Sequence, residues 1–286
     1  NHSDSIELNA RDNDGRTAFI MACQEGHKDV VQLLMDRSDP NIDLNARTSN
    51  GWTAFIIACY NGHKDVVKLL LSSPNINLNA KTNSGATGFM HACWNGHNSI
   101  VQLLLDHSNS NIDLNARDDI VGSTAFSGAC ANGHKDVVKL LLGHLNEIDT
   151  KAQGGQGGGT AFIWACFYGH KDVVQLLIEH LDPSIELNAR NEFDRTAFMV
   201  ACFCGQKDVV QLLLERWGPF IDLNERDKYG ETALMTACHH GHKDLVKLLL
   251  EFSNKIDLNV QGNEGSTALI LACRQGHKDV VKLLLE

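Results

Sequence analysis

The sequence has no run of eighteen consecutive apolar residues, so no segment reads as a membrane-spanning helix. It opens "NHSDSIELNA", with no basic stretch leading into an apolar one, so no secretory leader is visible. Positive charge is in deficit. The formal net charge is -10, which argues against a general nucleic-acid binder, whose footprint is a basic face, and favours a partner carrying basic residues. No G-x-S-x-G, H-E-x-x-H or EF-hand pattern occurs. The glycine-rich "GGQGGGT" lacks the Lys that a phosphate-cradling loop requires. With these absences no catalytic residue, cofactor site or metal site is expected, and the chain does not read as an enzyme.

What is present is repetition. Cys23, Cys59, Cys93, Cys130, Cys166, Cys202, Cys238 and Cys273 follow one another at intervals of 34 to 37 residues, and Cys204 alone falls outside the series. Alignment on these cysteines gives eight copies of one unit. Examples are "TAFIMACQEGHKDVVQLLM", "TAFIIACYNGHKDVVKLLL" and "TALILACRQGHKDVVKLLL". The unit boundaries fall at about 6–41, 42–75, 76–111, 112–147, 148–184, 185–220, 221–255 and 256–286, in a single domain.

Each unit reads as two short helices. In the first copy Thr17 is an N-cap, and Phe19 with Ala22 and Cys23 forms one buried face. Gly26 ends the helix by taking the left-handed conformation. Asp29 places negative charge in the first turn of the second helix. Val30, Val31, Leu33, Leu34 and Met35 supply that helix's apolar surface. Helices of this length are unstable alone and hold only by stacking on neighbouring copies.

The pattern T-A-F-x-x-A-C-x-x-G-H-K-D-V-V-x-L-L-L, with D-L-N-A-R and a Gly ahead of the Thr, resembles the ankyrin repeat, and the resemblance covers essentially the whole chain. It implies an all-α solenoid of helix–turn–helix units with β-hairpin fingers and a concave binding surface. There are departures. The family's T-P-L-H becomes Thr-Ala-Phe in most copies, followed by Ile in three of them and never by His, which removes the helix-starting Pro and the His that bonds the Thr. Phe is expected to compensate by packing. Several copies carry extra residues after the second helix ("DRSDPN", "DHSNSN", "EHLDPS"). The fifth finger, "KAQGGQGGGT", loses the L-N-A-R signature. The sixth copy has Asp194 where the finger glycine belongs, and Gln206 where the others have His.

The reactive-looking residues are the repeated ones, and repetition favours a structural role. The cysteine column is read as small buried hydrophobes that stay reduced, since stacked helices sit about 10 Å apart and a disulfide needs Cα atoms within about 7 Å. That fits a reducing, cytoplasmic compartment. Cys204, at a variable position, is expected to be more exposed. The Gly-His column (His27, His63, His97, His134, His170, His242, His277) is expected to bond backbone groups between neighbours. "CHHGH" (Cys238, His239, His240, His242) is the best zinc candidate, but two of its members belong to the structural columns.

Function is expected where copies differ. The pairs between Ala-Cys and Gly-His include Tyr60–Asn61, Trp94–Asn95, Phe167–Tyr168, Phe203–Cys204, His239–His240 and Arg274–Gln275. By the resemblance this end of the first helix faces the groove. Large aromatics there are expected to form one stripe through repeats two to six, extended by the finger residues Arg16, Trp52, Phe193, Arg195 and Tyr229. The expected function is a scaffold binding a protein or peptide. The alternatives are a spacer within a larger protein, or a regulatory repeat domain attached to an enzyme elsewhere. Neither end has a polar capping face, so the chain is expected to be a monomeric fragment of a longer array, with end-to-end association as the alternative.

Overall fold

The computed structural model describes residues 6–36, 42–107, 111–181 and 187–286. The expected extension "DRSDPN" lies outside them but for its first residue, and "DHSNSN" and "EHLDPS" lie outside them in half of their residues. Sixteen α-helices form among the described residues, in pairs. The first copy folds as α1 (Ala18–Gln24) and α2 (Lys28–Met35), followed by α3 (Ala54–Asn61) with α4 (Lys64–Leu70), α5 (Gly88–Trp94) with α6 (Asn98–Asp106), and α7 (Ala125–Ala131) with α8 (Lys135–Leu142). The last four pairs are α9 (Ala161–Tyr168) and α10 (Lys171–His180), α11 (Ala197–Phe203) and α12 (Lys207–Trp217), α13 (Ala233–His239) and α14 (Lys243–Leu250), and α15 (Ala268–Arg274) and α16 (Lys278–Leu285).

The chain packs as two units. One comprises Asn1–Ala129 with Asp136–Asp149, the other Cys130–Lys135 with Thr150–Glu286. Within the first unit α1, α3 and α5 pack in series, backed by α2, α4 and α6. Within the second unit the series is α9, α11, α13 and α15, backed by α10, α12, α14 and α16.

The first helices start as their sequence demands. Thr17, Thr53, Thr87, Thr160, Thr196, Thr232 and Thr267 each turn a hydroxyl to the backbone N–H three residues on. Each such cap stabilises its helix by about 1 kcal/mol. The Thr side chain is thus satisfied without the absent His. Phe19, Phe55, Phe89, Phe126 and Phe162 are fully buried, as expected for the residue that replaces Leu. In the second unit Trp217, at the end of the eleven-residue α12, is buried with its ring 5.3 Å from that of Phe162.

Val30 and Leu33 depart from the expected buried face. They are 46% and 67% exposed, while Val31 is fully buried. Inner copies bury both valines, as at Val66 and Val67, because a preceding helix pair covers them; no described element covers α2 on that side.

The fingers are tight turns. Strand pairing in the described residues is limited to the isolated bridges Lys81↔Thr87 and Gly154↔Gly159, so hairpin strands as such do not form. Side chains close the turns instead. Asp12 Oδ1 accepts from the Asp14 and Arg16 N–H groups, and Asp227 Oδ1 accepts from those of Tyr229 and Glu231. Within each unit a tip receives one backbone bond from the finger that follows it, such as Asn83 N to Asn50 O in the first and Lys228 N to Phe193 O in the second. Asp194 sits at φ 62°, the glycine conformation, and is the one non-glycine with positive φ among the described residues. Arg190 bonds its carbonyl at 2.9 Å and holds its carboxylate at 3.4 Å.

The Asn of D-L-N-A-R is an inter-repeat clamp. Asn79 Nδ2 donates to Asn111 O while its Oδ1 accepts from Asp113 N. Asn45 and Asn115 in the first unit, and Asn224 in the second, make the same pair of bonds to the following copy. Lys151 occupies this position in the fifth copy, where an ammonium supplies no acceptor.

Candidate functional site

The repeated residues are consumed by the joint between copies. His63 Nε2 lies 2.8 Å from Gln24 O, and His97 Nε2 lies 2.8 Å from Tyr60 O. A carbonyl only accepts, so Nε2 carries the proton. In the second unit His170, His242 and His277 make the same contact to Ala131, Phe203 and His239. Gln206 substitutes for His without losing the bond, its Nε2 donating to Phe167 O at 3.0 Å. The preceding glycine is needed sterically: a Cβ on Gly26 would lie 2.6 Å from the His63 ring.

The cysteine column is buried from Cys23 to Cys238. Burial raises the Cys23 and Cys238 thiols to about 12, and pushes Cys59, Cys93 and Cys202 well above the ordinary range. Cys204 is half-buried and raised to about 11 by desolvation, with Arg195 acting in the opposite direction. Cys273 departs from the column: it is exposed, because no further described first helix stacks on the outer side of α15.

In "CHHGH" the imidazoles go to separate tasks. His240 Nδ1 lies 2.9 Å from Thr236 O, while His242 bonds Phe203 O. Among the described residues no three His, Cys, Asp or Glu side chains come together as a metal cradle.

The variable residues assemble as separate clusters in the two units. In the first, His91 is stacked on Trp52 at 4.6 Å, with Tyr60 at 5.4 Å and Trp94 at 5.5 Å meeting it edge-on. His91 is 8% exposed, and its Nε2 is buried without a hydrogen-bond partner. Desolvation lowers its pKa to about 4, so it is neutral near pH 7. Trp94 is half-buried. Its Nε1 donates to Thr124 O at 2.9 Å, and its ring fills the notch left by Gly128, where a Cβ would lie 1.9 Å away. Beside this cluster a cavity of about 410 Å³ is lined by Arg16, Trp52, Ile57, Tyr60 and Asn61. Arg16 pairs with Asp14 at 2.6 Å, and Asn61 Nδ2 donates to Gln24 O. Asn95 Nδ2 turns back to His91 O.

In the second unit Trp164, Phe167 and Tyr168 form one ring cluster, with centroids 4.9 to 6.2 Å apart. Trp164 Nε1 donates to Gly154 O and Gly159 O, and a Cβ on Gly155 would lie 2.4 Å from its ring. The glycine-rich fifth finger is therefore the seat of an indole. Next to it Arg195 is buried, its guanidinium 4.3 Å from the Phe203 ring centroid and 5.8 Å from that of Tyr229. Arg195 Nε donates to the fully buried Asp227 carboxylate at 2.8 Å. His240 meets Phe203 edge-on at 4.5 Å and stacks on His239. Phe193 and Tyr229 are exposed on the finger tips. Arg274 is exposed and bonds Ser266 Oγ at 3.1 Å.

His91 and Trp164 were not among the expected site residues. Both occupy the position two before the column cysteine, which reads Met21, Ile57, His91, Gly128, Trp164, Val200, Thr236 and Leu271. Its variability across copies is the signal that identifies it.

A family model described as ankyrin repeats (3 copies) matches residues 2–82, 75–154, 126–227 and 219–286. No curated protein matches the chain.

Proposed function

The chain belongs to the ankyrin-repeat family, whose repeats are in general protein–protein interaction modules and typically non-catalytic, and from that premise we propose that it binds a protein or peptide on the face made by its first helices and finger turns. The observation that carries this reading is the division of labour between positions. The shared Thr, Phe, Cys, Gly and His are spent on caps, core and joints, while the copy-specific residues gather into aromatic clusters with partly open rings. Tyr60, Tyr168 and Tyr229 are 45%, 53% and 49% exposed, an unusual concentration of large aromatic surface for residues outside a contact. Asn61 beside Tyr60, and His239, His240 and Arg274 beside Tyr229, make up a polar surround, and Phe193 adds a further exposed ring next to Tyr229. The same reading takes the chain as a monomer in a reducing, intracellular setting, with no cofactor.

The experiment compares exposed with half-buried aromatics. Tyr168→Ala and Tyr229→Ala are expected to weaken an isolated partner about tenfold or more without lowering the melting temperature. Trp94→Ala is a poor probe, because Trp94 also fills the Gly128 notch and its loss costs stability. A spacer role would leave affinity for any candidate partner unchanged in both Tyr variants.

A further inference from the structure

The second unit holds two adjoining cavities with Arg195, Phe203 and Tyr229 as their common wall. One, of about 320 Å³, is aromatic and apolar, with Trp164, Phe167 and Phe193 on its other sides. The second, of about 420 Å³, contains Glu231, Glu264, His239, His240 and Arg274.

The charges in the second cavity do not cancel. Arg195 is committed to Asp227 at 2.8 Å, and both side chains are buried. Arg274 stands 3.9 Å from Glu264, in an exposed pair. Glu231 is different. Its carboxylate is only 20% exposed, and no Lys or Arg nitrogen among the described residues comes within salt-bridge distance of it. His239 Nδ1 stands 3.9 Å from it. Burial, and after it the Asp227 carboxylate, raise the Glu231 pKa above the ordinary value, against a smaller opposing influence of His239, Arg195 and His240. A half-buried carboxylate of this kind gains from an arriving cation what it lacks from its own chain. Tyr229, 49% exposed in the same cavity, offers aromatic surface that also favours a cation, whereas the Phe203 ring is already taken by Arg195.

We propose that the second unit recognises an unstructured peptide segment carrying a Lys or Arg side chain two residues from a large apolar one, the cation against Glu231 and the apolar group in the Trp164–Phe167–Phe193 cavity. This rests on the binding face proposed above and assigns the chemistry of its ligand. The dimensions agree: each cavity exceeds the volume of one large side chain, and the shared wall makes them neighbours on one surface, as side chains two residues apart in an extended peptide require, since these point to the same face.

The test pans a phage-displayed library of random 12-residue peptides against the full chain at pH 7.5. Selected peptides are then measured as synthetic, dye-labelled probes by fluorescence polarisation. The expected result is enrichment of a basic residue two positions from an aromatic or long aliphatic one. Affinity should fall about tenfold in Glu231→Gln. Replacing the peptide's Lys or Arg by norleucine should have a similar effect, and the two changes together should cost little more than either alone. Glu231→Gln is isosteric, and an unchanged melting temperature confirms that it folds. Peptides that bind with no basic preference, losing affinity in Tyr229→Ala but not in Glu231→Gln, overturn the cation contact and leave the binding face standing. Peptides indifferent to both variants, or no enrichment at all, overturn both.

Discussion

At the scale of single residues the same letter has different meanings by position. His63 and His97 are fasteners, each donating from Nε2 to a carbonyl of the preceding copy. Gln206 shows that the fastener needs a donor at that reach and not an imidazole. His63→Ala is therefore expected to cost about 1 kcal/mol or more in urea unfolding, while His63→Gln costs measurably less. His91 has no such bond. Its pKa of about 4 in the folded chain lies below the ordinary 6.5, so the unfolded chain takes up a proton first as pH falls. The stability it contributes is complete above pH 6.5 and is lost progressively down to about pH 4. Its full size is on the order of 3 kcal/mol. The check is urea unfolding at pH 7 and pH 4.5: His91→Leu should show a flatter dependence than the natural chain. An equal slope in both would remove His91 from the acid response.

At the scale of elements, two devices couple one helix pair to the next. One is the fit of large variable side chains into glycine notches. Gly128→Val would place side-chain atoms where the Trp94 ring lies, and is expected to destabilise by about 1–3 kcal/mol and to raise Trp94 emission wavelength as the indole moves into water. The other is the Asn clamp. Asn79→Ala removes one donor and one acceptor between successive fingers, and should speed exchange of the Asp113 amide while leaving helix content unchanged.

The helix pairs, caps and core of these elements were legible in the sequence because Thr, Phe, Ala-Cys and Gly recur at fixed spacing, and recurrence needs no three-dimensional knowledge. The fingers were less so. The letters suggest a hairpin, but Asp, Thr or Asn side chains close most of the turns, and only isolated bridges form among the described residues. The candidate site was legible in membership but not in geometry. Variable positions could be picked out by comparing copies, yet which aromatics stay open depends on the neighbour's side chain. Trp94 is drawn into a notch because the next copy has Gly128, and Arg195 is neutralised because the next finger has Asp227. His91 and Trp164 lie one helical turn inside the expected pairs, and only the packing brings them to the same clusters.

At the scale of the whole molecule, shared residues hold each unit together and individual residues give it a surface. Thiol chemistry separates the two kinds of environment: Cys273 should react with a maleimide in the native state, Cys204 slowly, and Cys59, Cys93 and Cys202 only after denaturation. The central claim is that the repeated chemistry builds joints while the copy-specific chemistry binds. Its most direct test is one affinity measurement, on a peptide selected by the natural chain, with His242→Gln and Tyr229→Ala compared side by side. The account predicts that His242→Gln binds as the natural chain does and that Tyr229→Ala binds about tenfold more weakly at an unchanged melting temperature. Equal affinity in the two variants, or a loss confined to His242→Gln, would contradict it.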